Sequence, residues 1–464
     1  MAKVKLVATL GPSSWSEETM KRMVAEGVNA FRLNFSHVDY ARFEELAKQV
    51  RRLETPLRPL TLIADLQGPV IRLGEFAPFQ VRPGDRVTFT LSSKTEEKYA
   101  VPVPNGVFFE IVREGDEVLV EGGRLAFRIV DAGPEKAVGE ALLEGEVKPR
   151  KTVTVRGKDI PLPTITEKDL RDIEFSVKAG FDAIALSFVR SSSDVQRLRD
   201  ILFDYGAEDV KIIAKIETKS AVEDLDSILQ KSDAALVARG DLANFYGLEE
   251  IYSIQRYIIS RARRFGKPSI VATQLLESMI SNPLPTRSEV VDVITAVRMG
   301  ADALLLAGET AAGKYPVESV YWLRRIVEEA EREPLEVEDV APDKSDLYES
   351  IAKGVVSLAE VISGKIIAFS EKGNTARRIS KFRPKAGLIV FTNDPATARY
   401  VNMIYGVRVV YDPSLSKADQ NLFSKMLSKA LEHNLVNLGD LVVFTSGRRR
   451  GSTDLVSVER VKSE

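Results

Sequence analysis

The chain has 464 residues, of which 44% are hydrophobic and 28% charged, and its formal net charge is −2. This composition is ordinary for a globular protein and excludes a disordered, collagen-like or small disulfide-stapled chain. With no cysteine and only two histidines, the chain cannot use thiolate nucleophiles and is a poor source of sulfur or imidazole metal ligands. Any metal site must therefore be built mainly from oxygen ligands, which favours Mg²⁺, Mn²⁺, Ca²⁺ or K⁺.

The same numbers limit the partners and the compartment. A near-neutral chain gives no global reason to bind nucleic acid or an anionic membrane. The first residues, MAKVKLVATLG, hold only a short apolar stretch, and no window approaches about 18 uninterrupted apolar residues. We therefore expect no nucleic acid and no membrane as partner, and the lack of cysteine favours a cytoplasmic location.

Residues 1–69 alternate short apolar runs with helical patterns. The segments KLVATLG, NAFRLNF and LTLIADLQG are typical of buried strands. Ser14 and Glu17 have the spacing of a capping box, so we expect a helix to begin there and to end at Gly27.

Residues 70–151 have a different character. Turns such as Pro83-Gly84-Asp85 and Gly115-Asp116 separate short alternating strands such as RVTFTL, DEVLVE and LAFRIV. No helical period of useful length is present in this region. The pattern predicts a small all-β domain, similar to a β-barrel, inserted into the surrounding α/β pattern.

The α/β alternation resumes at residue 152 with five more buried strands, in the segments AIALSFV, KIIAKIE, AALVARG, SIVATQL and ALLLAGE. Thr286 and Glu289 form a second capping box. Eight strands alternating with helices predict an α/β fold, a (β/α)8 TIM barrel made of residues 1–69 and 152–333, with the all-β lid domain of residues 70–151 inserted after the third strand. A doubly wound open sheet is the alternative.

A charged, proline-containing stretch at 333–345 marks the next boundary. Residues 345–464 again alternate apolar strands, such as KIIAFS, GLIVFT and DLVVFTSG, with helical segments. This pattern predicts a separate C-terminal α/β domain.

Charged and polar residues directly follow most of the predicted barrel strands. Buried apolar strands rarely end this way by accident, although each such residue taken alone could be part of a solvated loop. Catalytic groups of a (β/α)8 barrel gather at these carboxyl ends. The residues in question are Arg32, Asn34, Ser36 and His37 after the second strand, Asp65, Gln67 and Arg72 after the third, Lys215 and Glu217 after the fifth, Arg239, Gly240 and Asp241 after the sixth, Thr273 and Gln274 after the seventh, and Gly308 and Glu309 after the eighth.

These residue types indicate phosphoryl transfer. Glu217 and Asp241 follow neighbouring strands and could share one Mg²⁺, which takes one or two carboxylates and leaves positions for substrate oxygens. Arg32, Arg72 and Lys215 would supply positive charge to neutralise a transferred phosphoryl group. The alternative for the two carboxylates is ion pairing with Lys215 or Arg239. No GxxxxGK[ST] loop, no GxGxxG after a strand and no HRD/DFG set is present, so a nucleotide must be held in another way.

These strand ends resemble the pyruvate kinase family. The segments VATLGPSS, AEGVNAFRLNFSH, DLQGPVIRLG, IIAKIE, LVARGDLA, GKPSIVATQLLESMI, PTRSEVVDV and ADALLLAGETAAGKYPVES are similar to that family's segments in the same order. The similarity is dense over the barrel and loose over the β insertion and the C-terminal domain. It implies transfer of the phosphoryl group of phosphoenolpyruvate to ADP, giving pyruvate and ATP, with Mg²⁺ or Mn²⁺ as cofactor.

The resemblance also implies roles for individual residues. Lys215, Arg32, Arg72 and Thr273 match catalytic positions, and Arg32, Gly240, Asp241 and Thr273 match substrate-binding positions. Glu217 and Asp241 match the carboxylates of the divalent metal. The positions on the nucleotide side are Asn34, His37, Arg72 and Lys151, of which Lys151 lies in a poorly matching segment. Asn34, Ser36, Asp65 and Leu66 match ligands of K⁺, but Val70 replaces the Glu that accompanies K⁺ dependence, which favours activity without K⁺.

The C-terminal domain resembles the family's effector and oligomerisation domain. The segment Ser370-Glu-Lys372-Gly373-Asn374-Thr375 lies where a strand leads into a helix, a natural phosphate site, and Arg448 and Arg449 add positive charge in a later loop. The alternative for that loop is a solvated basic segment. The resemblance implies a phosphorylated allosteric effector and a homotetramer.

Two other functions remain open at this point. One is a Mg²⁺-dependent 2-oxoacid aldolase or lyase barrel, which would share the metal carboxylates and one arginine. The other is a catalytically degenerate member of the family that acts as a metabolite sensor.

Overall fold

The chain begins with three parallel strands joined by amphipathic helices. In the computed structural model, which describes residues 2–447 and 452–462, these elements are β1 (Lys5–Leu10), α1 (Glu17–Ala25), β2 (Val28–Asn34), α2 (Tyr40–Leu53) and β3 (Thr61–Asp65). Every residue of β1 and β3 is buried, as expected for strands covered on both faces. A 3₁₀ turn, Phe35–His37, follows β2 directly and leads towards α2.

The predicted capping box at Ser14 and Glu17 is wrong. The N-cap of α1 is Ser16, whose Oγ accepts a hydrogen bond from the Thr19 N–H at 3.0 Å. The buried Oγ of Ser14 instead accepts from the Gly11 N–H at 3.1 Å and so closes the turn after β1. Ser14 and Ser16 could each cap the helix by their side chain. Because Ser14 is engaged in the turn after β1, Ser16 caps the helix.

The segment between β3 and the next barrel strand forms the predicted β insertion, with its own apolar core. Six of its strands form one mainly antiparallel sheet in the order β11-β7-β8-β9-β5-β6, and the other two pair with each other. The strands are β4 (Phe79–Val81), β5 (Arg86–Thr90), β6 (Ala100–Pro102), β7 (Glu117–Val120), β8 (Leu125–Ala132), β9 (Lys136–Ala141), β10 (Gly145–Val147) and β11 (Val153–Val155).

The insertion departs from the all-β prediction at one point, a single short helix. This helix, α3 (Gly106–Ile111), begins at Asn105, whose Oδ1 accepts from the Val107 N–H at 3.0 Å. Its six residues are too few to produce a helical period in the sequence.

The remaining barrel elements alternate as predicted. They are α4 (Glu167–Lys178), β12 (Ala183–Leu186), α5 (Ser192–Asp204), β13 (Lys211–Ile216), α6 (Lys219–Glu223), α7 (Leu225–Lys231), β14 (Ala234–Ala238), α8 (Arg239–Leu242), α9 (Ile251–Arg264), β15 (Ser269–Ala272), α10 (Arg287–Arg298), β16 (Ala303–Leu306), α11 (Gly308–Ala311) and α12 (Pro316–Ala330). The capping box at Thr286 and Glu289 is confirmed at the start of α10.

The eight parallel strands close into a barrel in the order β1-β16-β15-β14-β13-β12-β3-β2. This confirms the (β/α)8 TIM barrel and excludes the open sheet. Because β3 pairs directly with β12, the chain leaves the barrel at the carboxyl end of β3, builds the insertion and returns to the adjacent strand. The insertion is thereby anchored at the end of the barrel where catalytic groups gather.

The C-terminal α/β domain follows a stretch without helix or strand, as expected around 333–345. It contains α13 (Leu347–Val361), β17 (Lys365–Phe369), α14 (Asn374–Lys381), β18 (Leu388–Thr392), α15 (Pro395–Val401), β19 (Val407–Tyr411), α16 (Leu422–Glu432), β20 (Leu441–Ser446) and β21 (Leu455–Arg460). The sheet order is β19-β18-β17-β20-β21, with β21 antiparallel at one edge.

This domain covers the amino ends of the barrel strands, opposite the insertion. The Nζ of Lys5, at the start of β1, donates to the Val407 carbonyl at 2.6 Å. The Oγ1 of Thr61, at the start of β3, donates to the Arg399 carbonyl at 2.6 Å. Met403 packs into the apolar interior of the barrel itself. Among the described residues, no helix has the length and apolar character needed to cross a membrane.

Candidate active site

A cleft lies between the carboxyl ends of the barrel strands and the inserted domain. It encloses about 1090 Å³, including the part open to solvent. Two neighbouring chain segments connect barrel and insertion beside it, since the Leu73 N–H donates to the Lys151 carbonyl at 2.8 Å and the Val153 N–H donates to the Ile71 carbonyl at 3.0 Å. The lining residues predicted from sequence are Arg32, Asn34, Ser36, Asp65, Leu66, Arg72, Lys215 and Asp241.

Five charged side chains meet at the barrel end of the cleft, and we call them the charged cluster: Arg32, Asp65, Lys215, Glu217 and Asp241. The Nε of Arg32 lies 2.6 Å from Asp65 Oδ2. The Nζ of Lys215 lies 3.4 Å from Asp65 Oδ1 and 3.3 Å from Glu217 Oε2. Three carboxylates against two cations leave one excess negative charge when all groups are ionised.

The charges of the cluster control one another's pKa values. Burial by itself would raise the pKa of Asp65, but the Arg32 and Lys215 charges outweigh it and hold that pKa below its usual range. Burial opposes the charged form of Lys215, yet the carboxylates of Asp65, Glu217 and Asp241 raise its pKa well above the ordinary value. Lys215 is therefore a fixed cation in the cleft, suited to charge stabilisation.

Glu217 and Asp241 are the groups whose charge is least compensated. Burial raises the pKa of both. The neighbouring charge of Asp241 raises the pKa of Glu217 further, whereas the Lys215 charge and a hydrogen bond with Glu217 lower the pKa of Asp241 in part. Glu217 is fully buried, and its Oε1 accepts from the Phe188 N–H at 2.6 Å. Its Oε2 has no hydrogen-bond partner among the described residues. Its one close cation in the described chain is the Lys215 ammonium, 3.3 Å away, so a buried carboxylate oxygen without a hydrogen bond still has room for a second cation to stabilise it.

These residues fit a divalent cation. In the described part of the chain no group of three or more His, Asp or Glu side chains is placed to hold a metal. A cation here would therefore take the two carboxylates of Glu217 and Asp241 and obtain its other ligands from water or substrate. This donor set is the one Mg²⁺ prefers, with hard oxygens, few protein ligands and open positions.

Thr273 and Gly240 meet beside the cluster. The Gly240 N–H donates to Thr273 Oγ1 at 3.0 Å, so this N–H is engaged rather than free to bind an anion. Thr273 and Gln274 both have positive φ, +72° and +52°, an unusual conformation for residues other than glycine. Such strain concentrates at functional sites when the surrounding structure holds it in place.

The sequence analysis missed Ser187, which follows β12. The Lys215 Nζ donates to Ser187 Oγ at 2.6 Å, and this Oγ donates to the Leu66 carbonyl at 2.7 Å. Ser187 thus fixes the position of Lys215. Ser187 directly follows the fourth barrel strand, just as the charged residues directly follow the other strands. Because a serine carries no charge, the pattern of charged strand ends does not identify it.

Arg190 was also missed. It lies three residues beyond Ser187, and its Nη1 and Nη2 donate to the carbonyls of Ile160 and Leu162, each at 2.8 Å. These carbonyls belong to the segment that returns from the insertion to the barrel. Arg190, which lines the cleft, therefore ties that segment to the barrel end.

Two residues predicted for the nucleotide side lie outside the cleft wall. His37 is exposed on the 3₁₀ turn after β2. The Nζ of Lys151 is bound to Glu121 Oε1 at 2.7 Å within the insertion. Both are on elements next to the cleft, because Asn34 and Thr152 do line it.

The predicted effector segment lies at the start of α14. Gly373, with φ of +80°, is its N-cap, and Thr375 Oγ1 is 2.9 Å from Thr453 Oγ1 in a buried contact. Ser370 is buried at the end of β17, Asn374 is the first residue of the helix, and Lys372 Nζ is bound to Asp209 at 3.0 Å. Arg448 and Arg449 lie outside the described residues.

The fold and the cleft together define a class of protein, a (β/α)8-barrel enzyme whose cleft brings a buried carboxylate pair beside fixed positive charges. Family models identify this class further. Residues 1–320 match the pyruvate kinase barrel domain, and residues 349–459 match the pyruvate kinase alpha/beta domain. The chain belongs to the pyruvate kinase family, and pyruvate kinase activity is its function.

Relatives and solved structures agree with these models. A pyruvate kinase of Pyrobaculum aerophilum is 38% identical over 419 residues, which cover 88% of this chain and 88% of the relative. Pyruvate kinase 2 of Synechocystis sp. is 34% identical, covering 99% of this chain and 80% of the relative. The crystal structure of a pyruvate kinase from Cryptosporidium parvum superposes with a TM-score of 0.92 at 31% identity, covering 99% of this chain and 96% of that one.

Proposed function

We propose that the charged cluster carries out the transfer of the phosphoryl group of phosphoenolpyruvate to ADP, giving pyruvate and ATP, the last step of glycolysis. The observation that carries this proposal is Lys215, a buried and permanently charged amine held among three carboxylates at the cleft. Enolpyruvate is a strong phosphoryl donor because the released enol becomes a ketone. The protein therefore needs mainly to align the reactants and to neutralise charge.

Glu217 and Asp241 would hold Mg²⁺ or Mn²⁺. When bound, the cation supplies charge neutralisation on the phosphoryl oxygens and on the enolate oxygen. With the ion in place, the net charge of the cluster becomes positive, as a highly anionic substrate requires. The Oε2 of Glu217, which has no hydrogen bond within the described residues and lies 3.3 Å from Lys215 Nζ, would then contact a second cation.

Lys215 and Arg32 would stabilise the negative charge that moves during transfer. Each is already fixed before substrate binds, Lys215 by Ser187 and Arg32 by Asp65, so that little reorganisation is needed during the reaction. Arg72 lies on the segment that enters the insertion, and its Nη1 donates to the Arg150 carbonyl at 3.2 Å, with no carboxylate paired to it among the described residues. Closure of the insertion as a lid would bring this arginine onto the phosphoryl group and exclude water.

Thr273 and the Gly240–Asp241 segment would hold the carboxylate and enolate end of the substrate. Thr273 Oγ1 accepts from the Gly240 N–H, and no described acceptor takes the hydroxyl proton of Thr273. This proton is therefore available for a group in the cleft, either directly or through water, at the side where the enolate is protonated. The nucleotide would lie towards the insertion, near Asn34, His37, Arg72 and Lys151.

We propose that turnover does not require potassium. Asn34 Oδ1 accepts from the Ser36 N–H at 3.1 Å, and the Leu66 carbonyl accepts from Ser187. Asp65 is engaged by two cations of the protein. These groups would bind K⁺ only weakly while Val70 stands where a carboxylate would complete the site.

For the remaining architecture, we propose domain limits of 1–69 with 152–333 for the barrel, 70–151 for the lid and 345–464 for the C-terminal domain. We further propose a homotetramer, because large apolar side chains are exposed on two separate faces. On the barrel, Leu248 and Val291 are 79% and 62% exposed, and on the C-terminal domain Val456 and Val458 lie on the edge strand β21. Light scattering on the intact chain and on Val291→Arg tests this, with a smaller particle expected for the variant.

We also propose that a phosphorylated effector binds at Ser370–Thr375. Gly373, with a positive φ, is the N-cap of α14, and backbone N–H groups at a helix N-terminus can donate to a phosphate. Thr375→Ala should abolish activation by a sugar phosphate and leave unactivated turnover unchanged.

The experiment that tests the function measures ATP formation from phosphoenolpyruvate and ADP with Mg²⁺. Turnover that needs all three components is expected. Cleavage of a 2-oxoacid without ATP formation would instead indicate a lyase, and binding of phosphoenolpyruvate without any turnover would indicate a sensor. Either of these results would overturn the proposal.

A further inference from the structure

A second, smaller cleft lies at the other end of the barrel, between the barrel and the C-terminal domain. It encloses about 200 Å³, including its mouth. One wall is formed by the end of α9 and the loop that leads into β15, and the other by α14 and the residues after it. Five basic side chains line it, with one acidic side chain, Asp302. The basic residues are Arg263, Lys267, Arg377, Lys381 and Arg383.

Only two of these five cations are neutralised by carboxylates. Asp302 forms an ion pair with Arg383, whose Nη1 and Nη2 donate to its two oxygens at 2.9 Å each, and it also accepts from the N–H groups of Ser269 and Tyr405. Lys381 Nζ is bound to Glu349 at 2.6 Å. The other three, which we call the unpaired cations, are Arg263, Lys267 and Arg377; in the described chain none has a carboxylate within 4.0 Å.

The unpaired cations donate only to backbone carbonyls. Lys267 Nζ donates to the Ser232 carbonyl at 2.6 Å, and Arg377 Nη1 donates to the Phe265 carbonyl at 3.3 Å. Arg263 Nη2 donates to the Glu338 carbonyl. The carbonyl ends of helices do attract cations, which explains one basic residue at such a place but not three that face one another.

Burial makes this crowding of charge unfavourable. Burial, and next the neighbouring charge of Arg377, lower the pKa of Lys267 to about 8. Arg263, which is 5% exposed, has its pKa lowered to about 10 by burial and by the charge of Arg383. Nearby carboxylates offset only part of these effects, so the cleft holds positive charge that the protein compensates incompletely.

We propose that this cleft binds the phosphate group of a small anion, which bridges the barrel and the C-terminal domain through the unpaired cations. A tetrahedral dianion offers several acceptor oxygens to the planar forks of Arg263 and Arg377, and one charge-assisted bond to Lys267. The volume of about 200 Å³ includes the open mouth of the cleft, and the phosphate would sit in that mouth and not in the enclosed part. A neighbouring cavity of about 1190 Å³ shares Arg263 and Arg383 with the cleft and leaves room for the body of a monoester.

The position of the cleft gives the bound phosphate a structural consequence. Arg377 lies on α14, and Lys267 lies directly before β15 of the barrel. A ligand that contacts both Arg377 and Lys267 would link the C-terminal domain to the barrel. This inference does not depend on the catalytic role of the charged cluster, which lies at the opposite end of the strands.

Crystals of the full chain soaked in tungstate, a heavy tetrahedral oxyanion, test the proposal. We expect anomalous density in this cleft within hydrogen-bond distance of Lys267 and Arg377. The double variant Lys267→Gln with Arg377→Gln should lose this density. The matched control is Arg264→Gln, because Arg264 is exposed beside Arg263 and is bound to Glu338 outside the cleft; this variant should keep it. Density in the catalytic cleft alone, with the intact chain, would overturn the proposal.

Competition identifies the source of the phosphate. Displacement of tungstate by glycerol 3-phosphate assigns the site to a phosphate monoester, displacement by inorganic phosphate alone assigns it to the free ion, and displacement by neither overturns the proposal. In solution, phosphate should raise the unfolding temperature of the intact chain and of Arg264→Gln. The double variant should lose part of this shift while its turnover without phosphate stays unchanged, which also shows that it folds.

Discussion

The guanidinium of Arg239 holds the backbone of Thr273 in a left-handed conformation beside the catalytic cleft. Its Nη2 donates to the Thr273 carbonyl at 2.5 Å and to the Gln274 carbonyl at 3.0 Å, while its Nη1 donates to both oxygens of Asp292, at 2.8 and 2.7 Å. Arg239 is 8% exposed, so these bonds are shielded from water. A buried arginine, itself fixed by Asp292, thus keeps Thr273 in a conformation that a β-branched residue rarely adopts.

Arg239→Lys should therefore lower kcat about 10- to 100-fold, because small displacements of a positioned group have effects of that size. A lysine cannot bind Asp292 and two carbonyls at once. Arg239 is a positioning residue, so the KM for ADP should change little while kcat falls. Guanidinium added to Arg239→Ala should restore part of the activity.

The control for this prediction is Arg261→Lys. Arg261 makes a bidentate contact with Asp226 between α9 and α7, away from the cleft. The Arg261→Lys variant loses the same kind of arginine–carboxylate contact as Arg239→Lys. Equal losses of kcat in the two variants would therefore show a general loss of stability and would contradict the positioning role of Arg239.

Lys215→Met should reduce kcat by at least about three orders of magnitude, since preorganised charge is one of the largest contributions to such reactions. The variant leaves three carboxylates facing only Arg32, so that charge developing on the substrate meets net repulsion. Lys211→Met is the matched control, because Lys211 begins the same strand β13 at its other end, where its Nζ lies over the Tyr400 ring. Normal turnover of Lys215→Met in a steady-state assay would refute the mechanism.

The barrel and most of the charged cluster could be predicted because they depend on local patterns. Buried apolar runs determine the eight strands, and the carboxyl ends of parallel strands converge, which brings Lys215 and Asp241 together although 26 positions separate them. The clamp on Thr273 could not be predicted, because Asp292 lies on α10, 53 residues beyond Arg239, and nothing local marks the contact. The places of His37 and Lys151 depend on how the insertion sits over the barrel, which strand periodicity does not determine.

Glu217→Gln should raise the Mn²⁺ concentration needed for half-maximal activity more than about 10-fold, because the loss of a ligand or its support commonly has effects of this size. The amide removes the negative charge of an oxygen that has no hydrogen bond within the described residues and would face the cation. Paramagnetic resonance of free Mn²⁺ measures binding directly, without turnover. Glu309→Gln is the control, since this buried carboxylate is satisfied by the N–H groups of Leu276 and Ala307 and should not affect Mn²⁺ binding.

Replacing Val70 should change the response to K⁺. Val70 lines the cleft beside Asn34, Ser36 and Asp65, where an added carboxylate would supply a charged oxygen ligand. The intact chain should show less than about a two-fold difference between potassium and tetramethylammonium salts at equal ionic strength. Val70→Glu should become K⁺-stimulated, whereas Val70→Gln, of similar size, should not. Strong stimulation of the intact chain by K⁺ would contradict the proposal of K⁺ independence.

Stability should rise with pH because of Lys5, at the contact between the barrel and the C-terminal domain. Burial lowers the pKa of Lys5 from its usual 10.5 to about 8, opposed in part by the charge of Glu331. Between about pH 8 and pH 10.5 Lys5 keeps its proton in the unfolded chain but has lost it in the folded chain. The contribution of Lys5 to the free energy of unfolding therefore increases across that window, by about 3 kcal/mol in total. Below about pH 8 Lys5 is charged in both the folded and the unfolded chain, so the full cost of burying its charge lowers the free energy of unfolding.

Lys5→Met removes the titrating group, so the unfolding temperature of the variant relative to the intact chain should be highest near pH 7.5 and should fall towards about pH 10.5. Differential scanning calorimetry at both pH values measures this difference. Lys5→Gln should give the same pH-dependent change, because it also lacks a titrating group but can still donate to the Val407 carbonyl. A difference that is constant with pH would mean that packing, and not the proton on Lys5, determines the effect.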